Sequence, residues 1–293
     1  MIKPPTFDKR KKIGIVALAG PMDSETLLQG EDYLRRLGYD VLIAPSCFEQ
    51  NRYLAGNSDE ERALDLKMMF AEDEVGAILN MRGGYGSNRI MPYIRDFNFA
   101  RYPKIFIGYS DITYMHIYFN QEYNLITYHG PMIRDLLKDE QVTTNGLIRT
   151  ALDGEQLILT GVNFISSVIG EVTGITIGGN LTIVCSTLGT DNEIDTQGKV
   201  LFLEEINEEP YAVDRLLMQL VHAGKIRDCV GIILGDFGGA EKEEIMETVR
   251  EILLRAGKVV AADVPAGHTS PNLTIPLGAR CILDVIGGRI VFV

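Results

Sequence analysis

The sequence of 293 residues contains no tryptophan and only four cysteines and four histidines. The cysteines lie far apart without a Cys-x-x-Cys pair, and three of them adjoin valine or isoleucine. This pattern is typical of buried, reduced thiols that act as small apolar residues. The histidines show neither His-x-x-His nor His-Glu-x-x-His spacing, which zinc sites commonly use. We therefore expect reduced cysteines and no bound metal.

Long hydrophobic runs and excess positive charge are also missing. No segment approaches the roughly 18 consecutive apolar residues of a membrane-spanning helix. The basic N-terminus is followed only by the short apolar run 13–19, which we interpret as a strand rather than a signal peptide. The net charge of −12 argues against nucleic-acid or membrane partners held by the overall electrostatic field. We expect a soluble, cytoplasmic protein.

What the sequence does contain is a regular alternation of short apolar runs and amphipathic segments. Four such alternations occur within roughly 125 residues of the first half, which predicts a parallel sheet covered by helices on both faces. The periodicity weakens over 138–165 and then resumes, ending in a hairpin signal at Gly287-Gly288. We predict two α/β domains, 1–137 and 166–293, joined by a linker at 138–165.

The fourth apolar run leads into Gly108-Tyr109-Ser110-Asp111, where a helix is predicted to begin. A sharp strand-to-helix turn exposes a serine Oγ above the sheet edge, as in a nucleophile elbow. The elbow consensus has a small residue two positions after the serine, whereas this sequence has Ile112. From the residues alone, Ser110 is either a helix N-cap or a nucleophile.

A glycine-rich turn, Arg82-Gly83-Gly84-Tyr85-Gly86, follows the third apolar run. In a parallel sheet it lies at the same edge as Ser110, and its glycine amides can closely approach a ligand. The turn lacks the full dinucleotide-binding fingerprint. It is therefore either an oxyanion hole or an ordinary βα turn.

A serine nucleophile requires a base, and the histidines differ in their suitability. His268 lies in a turn-rich loop after a predicted strand, where catalytic residues concentrate, and we rank it first. His129, in a predicted loop, ranks second, and a structural role stays open for both. His116 and His222 fall on predicted helices and are weaker candidates.

The nucleophile's base also needs an orienting carboxylate. Glu204 and Glu205 follow the apolar strand 200–203, and only Glu204 lies at the strand's end, where it can be held rigidly. The acidic run 204–209 could instead form a cation site or a solvated loop, and a solvated loop suits Glu208 and Glu209 best.

Together these motifs resemble the LD-carboxypeptidase family of serine peptidases, which includes the microcin C7 self-immunity proteins. The resemblance extends from about Lys12 to Val293. The segments that carry it are Arg82-Gly83-Gly84-Tyr85-Gly86, Gly108-Tyr109-Ser110-Asp111, Gly178-Gly179-Asn180-Leu181-Thr182, Leu201-Phe202-Leu203-Glu204-Glu205 with Pro210-Tyr211 and Asp214-Arg215, and Gly267-His268 through Pro276-Leu277-Gly278.

The resemblance implies a triad of Ser110 as nucleophile, Glu204 as orienting acid and His268 as base. It implies an oxyanion hole formed by the amide of Asp111 with that of Gly83, or alternatively Gly84. It further implies a flavodoxin-like or amidotransferase-like N-terminal domain, a C-terminal α/β domain, a homodimer, and catalysis without metal or cofactor.

The implied reaction is hydrolysis of the L,D-peptide bond that releases terminal D-Ala from murein tetrapeptide, through an acyl-enzyme, in peptidoglycan recycling. The immunity branch instead hydrolyses aminoacyl-nucleotide conjugates and stacks the adenine on a tryptophan in a longer interdomain loop. This chain has no tryptophan and a short segment there, which favours the peptidase. A non-catalytic solute-binding protein stays open as a second alternative, whereas an amidotransferase would require cysteine at the elbow.

Overall fold

The computed structural model describes residues 1–138, 140–165 and 168–293 and contains two large sheets. The strands are, in chain order, β1 (Lys12–Val16), β2 (Asp40–Ile43), β3 (Gln50–Asn51), β4 (Leu54–Ala55), β5 (Val75–Asn80), β6 (Ile105–Gly108), β7 (Thr127–His129), β8 (Ile158–Thr160), β9 (Asn163–Phe164), β10 (Glu171–Asn180), β11 (Val200–Ile206), β12 (Gly231–Gly238), β13 (Val259–Ala262), β14 (Ile275–Leu277), β15 (Arg280–Asp284) and β16 (Arg289–Phe292).

The helices alternate with these strands. They are α1 (Ser24–Arg36), α2 (Asp59–Ala71), α3 (Met91–Ile94), α4 (Thr113–Glu122), α5 (Ile133–Leu136), α6 (Gln141–Gly146), α7 (Leu181–Ser186), α8 (Pro210–His222), α9 (Lys225–Asp228) and α10 (Lys242–Arg255). Short 3₁₀ turns cover Pro45–Phe48, Ser87–Ile90, Phe99–Arg101 and Ser110–Ile112, and Leu147–Leu152 is a π-helical continuation of α6. Within the described ranges, no helix is long and apolar enough to cross a membrane.

The first sheet has the strand order β2-β1-β5-β6-β7-β14. The strands β2, β1, β5, β6 and β7 are parallel, and β14 pairs antiparallel with β7. Since β1, β5 and β6 are buried on both faces, continuous apolar runs encode them. The predicted parallel N-terminal sheet is confirmed.

The second sheet has the order β8-β16-β15-β10-β11-β12-β13-β9. Its centre, β10 to β13, is parallel, and antiparallel strands flank it, including the predicted hairpin β15–β16. The α/β fold class is therefore confirmed. The segment 138–165 supplies β8 and β9, the two edge strands of this sheet. The division at residues 137 and 166 stays a prediction.

The two halves of the chain interlock through β14. Its backbone pairs with β7 of the first sheet, while Ile275 and Leu277 belong to the apolar core that contains Phe202 of β11. The loops that follow β5 and β6 of the first sheet line one cavity with the loop that follows β13 of the second sheet, and this last loop contacts β11. The candidate site lies where these segments meet.

Candidate active site

Ser110 follows β6 in a left-handed backbone conformation, with a φ of 63°. Such a conformation costs a residue other than glycine about 1–3 kcal/mol, so the surrounding structure must enforce it. The residue opens the 3₁₀ turn that leads into α4. Tyr109 and Ile112 are the N-cap residues of the turn and the helix, so the interpretation of Ser110 as an N-cap is wrong.

The departure from the elbow consensus at Ile112 has a packing explanation. A Cβ atom at Gly108 would lie 2.9 Å from Ile112 Cγ2 and 3.0 Å from Asn80 Nδ2. Because Gly108 has no side chain, the larger residue at 112 fits on the inside of the turn. The glycine two positions before the serine is thus required, while the position two after it tolerates isoleucine.

His116 is buried and contacts the backbone of the strand-to-helix turn at Gly108. Its Nε2 lies 2.8 Å from the carbonyl oxygen of Gly108, and its Nδ1 lies 2.9 Å from Thr127 Oγ1. Since a carbonyl can only accept, Nε2 donates and the threonine hydroxyl donates to Nδ1. Burial lowers the pKa of His116 to about 3, which keeps the imidazole neutral. The residue has a structural role, not that of the base.

The glycine-rich turn after β5 lies directly against the serine. A Cβ atom at Gly83 would lie 2.9 Å from Ser110 Cβ and 3.0 Å from Ser110 Oγ. The end of the turn is tied to the elbow by Ser87, whose amide donates to the Asp111 carboxylate (2.8 Å) and whose hydroxyl donates to the Asp111 carbonyl (2.7 Å). The oxyanion-hole roles of Asp111, Gly83 and Gly84 stay predictions.

Glu204 and His268 form a hydrogen-bonded pair. His268 Nδ1 lies 2.8 Å from Glu204 Oε2, and Glu204 is completely buried whereas 16% of the His268 side chain is exposed. Burial favours the neutral acid, but contacts with His129 and His268 outweigh it and lower the pKa of Glu204 to about 2. Burial favours the neutral form of His268 as well, which for an imidazole means a lower pKa. The hydrogen bond and charge of Glu204 outweigh burial and raise the pKa of His268 above its ordinary value.

His129 differs from its predicted loop position. It is the last residue of β7 and is fully buried, with the rings of Phe202 and Tyr109 packed edge-on against it. Its Nε2 lies 3.7 Å from Glu204 Oε1. This contact could not be predicted locally, because Glu204 on β11 is distant from β7 in the chain.

Strand β11 extends to Ile206, so the expectation that only Glu204 lies at the end of a strand, where it can be held rigidly, is wrong. Glu205 is held rigidly as well. Its carboxylate accepts hydrogen bonds from Asn180 Nδ2 (2.9 Å) and from the amides of Thr182 (2.8 Å) and Ile206 (2.9 Å). Burial raises the pKa of Glu205, even though these donors stabilise its charged form. A solvated loop is therefore wrong for both glutamates. Within the described ranges, no group of three or more His, Cys, Asp or Glu residues could hold a metal ion.

Ser110 and His268 line one cavity of about 160 Å³. The cavity brings the serine of the first half of the chain beside the histidine of the second, although the described residues form no hydrogen bond between the two. Apo sites often tighten such contacts only when substrate binds. Sequence reasoning missed two cationic side chains and one buried acid in the lining, namely Arg82, Arg134 and Asp135. The position of Asp135 and Arg134 after the end of β7 was the available signal.

Comparison with known proteins gives two family matches. Residues 13–130 match the LD-carboxypeptidase N-terminal domain, and residues 173–283 match the LD-carboxypeptidase C-terminal domain. A probable murein peptide carboxypeptidase of Bacillus subtilis (strain 168) is 39% identical over 293 residues, covering 96% of this chain and 91% of the relative.

Solved structures agree with these matches. Muramoyltetrapeptide carboxypeptidase from Oxalobacter formigenes superposes with a TM-score of 0.85 at 27% identity, covering 96% of this chain and 98% of that one. An MccF-like protein from Bacillus anthracis str. Ames gives a TM-score of 0.89 at 25% identity, covering 100% and 99%, MccF being a microcin C7 self-immunity protein. With 39% identity over nearly its whole length and both domains matched, the chain belongs to the LD-carboxypeptidase family.

Proposed function

We propose that this chain is a serine carboxypeptidase that hydrolyses the L,D-peptide bond releasing terminal D-Ala from murein tetrapeptide. The observation that carries the proposal is the buried Glu204–His268 hydrogen bond beside a serine in a strained strand-to-helix turn. The murein peptide named for the Bacillus subtilis relative supports the choice of substrate.

In this mechanism His268 accepts the proton of Ser110 while Ser110 Oγ attacks the scissile carbonyl carbon. His268 then donates that proton to the departing D-Ala amine, leaving an acyl-enzyme that water hydrolyses. Glu204 accepts from Nδ1–H, which directs Nε2 toward the serine and stabilises the imidazolium. The amides of Asp111 and Gly83, or Gly84, are the proposed donors to the oxyanion.

A carboxypeptidase also has to bind the free carboxylate of its substrate. Arg82 and Arg134 line the same cavity as Ser110. Neither forms an ion pair within the described part of the chain, and Arg82 donates one hydrogen bond, to the carbonyl oxygen of Pro21. Guanidinium groups suit carboxylates because they donate two parallel hydrogen bonds. These two cations therefore favour cleavage of the last residue over internal cleavage.

The similarity to the MccF-like structure favours one alternative, hydrolysis of an aminoacyl-nucleotide conjugate. The absence of tryptophan counts against it, since the stacking residue that the resemblance implies is missing. Tyrosine or phenylalanine could replace that residue in stacking.

A panel of three substrates tests the proposal: a murein tetrapeptide, the same peptide with a C-terminal amide, and an aminoacyl sulfamoyl-adenylate. Products are followed by mass spectrometry, with Ser110→Ala as the blank. We expect D-Ala release from the free acid, much slower cleavage of the amide, and no cleavage of the nucleotide. Cleavage of the nucleotide alone would assign the chain to the immunity branch.

We further propose that the protein is a cytoplasmic homodimer that acts in peptidoglycan recycling. All four cysteines are free and buried, which suits a reducing compartment. The dimer rests on the family resemblance. Light scattering of the purified protein tests the dimer, cell fractionation tests the compartment, and accumulation of tetrapeptide in a deletion strain tests the recycling role.

A further inference from the structure

The buried residue His129 has no hydrogen-bond partner for either ring nitrogen within the described part of the chain. Glu204 Oε1 is also buried without a partner there, and it lies 3.7 Å from His129 Nε2. Both side chains are completely inaccessible to solvent. A buried polar atom without a partner costs about 1–3 kcal/mol. Unpaired polar atoms that face each other therefore point to a functional contact.

The carboxylate of Glu204 lies between two imidazoles. His268 occupies Oε2 at 2.8 Å, and His129 faces Oε1. The ring of Phe202 packs edge-on against His129, with 4.8 Å between centroids, and Tyr109 contacts both histidines, at 5.7 Å from His129 and 4.8 Å from His268. Packing against these two aromatic rings, Phe202 and Tyr109, orients the His129 ring toward the Glu204 carboxylate.

The other titratable groups nearby have partners of their own. The ring centroid of His116 lies 6.4 Å from that of His129, and both of its nitrogens are hydrogen-bonded. The Tyr109 hydroxyl donates to Asp135. Glu205 accepts from three separate donors. His129 is therefore the neighbouring group with a donor still available for Glu204 Oε1.

We propose that His129 is a positioning residue that donates from Nε2–H to Glu204 Oε1 and thereby fixes the carboxylate for its bond with His268. A separation of 3.7 Å is longer than a hydrogen bond, so the contact shortens when the site assembles around substrate. A carboxylate held at both oxygens cannot rotate away from the base. The inference rests on the roles proposed above for Glu204 and His268.

Loss of this donor has a predictable effect on the base. Without it, more negative charge stays available to His268, which raises the pKa of that imidazole further. The base acts only when neutral, so activity is lost at a higher pH as the solution is acidified. This fall of activity at low pH is the acidic limb of the pH–rate profile, and it moves to higher pH. Asp135 and Glu205 also raise the pKa of His268, but substitution of His129 leaves both in place.

The test compares His129→Phe with His129→Gln, whose side-chain amide supplies a similar donor. The readout is the rate at which a fluorophosphonate labels Ser110 across pH, which requires no knowledge of the substrate. For His129→Phe we expect labelling to slow about 10-fold to 100-fold, as for loss of a hydrogen bond to a charged group, with the acidic limb shifted upward. His129→Gln restores most of the rate and the original limb.

His116→Phe is the control, since it removes a buried imidazole that does not contact Glu204. It is expected to reduce stability and rate without moving the acidic limb. The proposal is overturned if His129→Phe keeps the wild-type limb, or if folded His129→Gln is as impaired as the phenylalanine variant. Imidazole ¹⁵N spectra of the wild-type protein test it without any variant, because an unprotonated Nε2 on His129 would contradict it. Labelling of Ser110 without D-Ala release would instead refute only the proposed substrate.

Discussion

Two adjacent glutamates, Glu204 and Glu205, have different roles because β11 presents them to different neighbours. Glu204 contacts His268 and His129, whereas Glu205 accepts from Asn180 and the backbone at the start of α7. Successive side chains of a strand point to opposite faces, so one carboxylate contacts His268 and the other links β11 to the start of α7.

Glutamine substitution should separate these roles. Glu204→Gln is expected to lower kcat about 10⁴-fold, the scale for loss of the orienting acid of a triad. A neutral amide does not stabilise the positive charge that forms on His268 as a carboxylate does. Glu205→Gln is expected to reduce the free energy of unfolding by about 1–3 kcal/mol with a much smaller effect on kcat. Kinetics and urea denaturation of both variants provide the measurement. A larger loss of kcat in Glu205→Gln would show that the two roles are reversed.

Local sequence is enough to single out Ser110, Glu204 and His268 as candidates, since each adjoins a recognisable apolar run or glycine motif. It is not enough for Glu205 or His129. The partners of Glu205 lie around the start of α7, and Phe202 of β11 packs against His129, so both environments depend on contacts between segments that are distant in the chain.

At the scale of elements, the strand-to-helix turn exposes Ser110 at a cost in the free energy of folding, because Ser110 adopts a left-handed backbone conformation. The left-handed conformation at this residue is unfavourable for any side chain, including alanine. Comparing Ser110→Gly with Ser110→Ala isolates that cost, because both variants lack the nucleophile. We expect the glycine variant to be about 1 kcal/mol more stable by chemical denaturation. Greater stability of the alanine variant would show that the turn is not strained.

The glycine turn after β5 makes a second prediction. Gly83→Ala places a methyl group 2.9 Å from Ser110 Cβ, so the serine must shift. A displacement of about 1 Å can cost 10²-fold in rate, and we expect a loss of that order in kcat with an unchanged circular dichroism spectrum. Gly146→Ala is the matched control, because Gly146 is helical and its nearest neighbour would lie 3.7 Å away. Equal activity of the two variants would argue against close packing at Ser110.

For the whole molecule, the alternation of strands and helices was sufficient to predict the fold class, because each half satisfies the pattern of a parallel sheet. The interlocking of the halves could not be predicted. It depends on β14, a three-residue strand that leaves the second half to pair with β7 while its apolar side chains stay in the second core.

The pairing of β14 with β7 predicts how the molecule unfolds. Opening either half exposes Ile275 and Leu277 or unpairs β7, so the two halves stabilise each other. We expect a single cooperative transition in differential scanning calorimetry, with equal calorimetric and van't Hoff enthalpies. Two resolved transitions would contradict it and would favour independently folding halves.

The site itself is also a property of the whole molecule, since the first half supplies the serine and the second half supplies the Glu204–His268 pair. Covalent labelling with a fluorophosphonate, followed by peptide mass spectrometry, tests most directly whether these parts form a serine hydrolase. We predict one adduct per chain on Ser110, its absence in Ser110→Ala, and much slower labelling in His268→Ala. Failure of the wild-type protein to label, or an adduct that persists in Ser110→Ala, would contradict the account and would favour a non-catalytic binding protein.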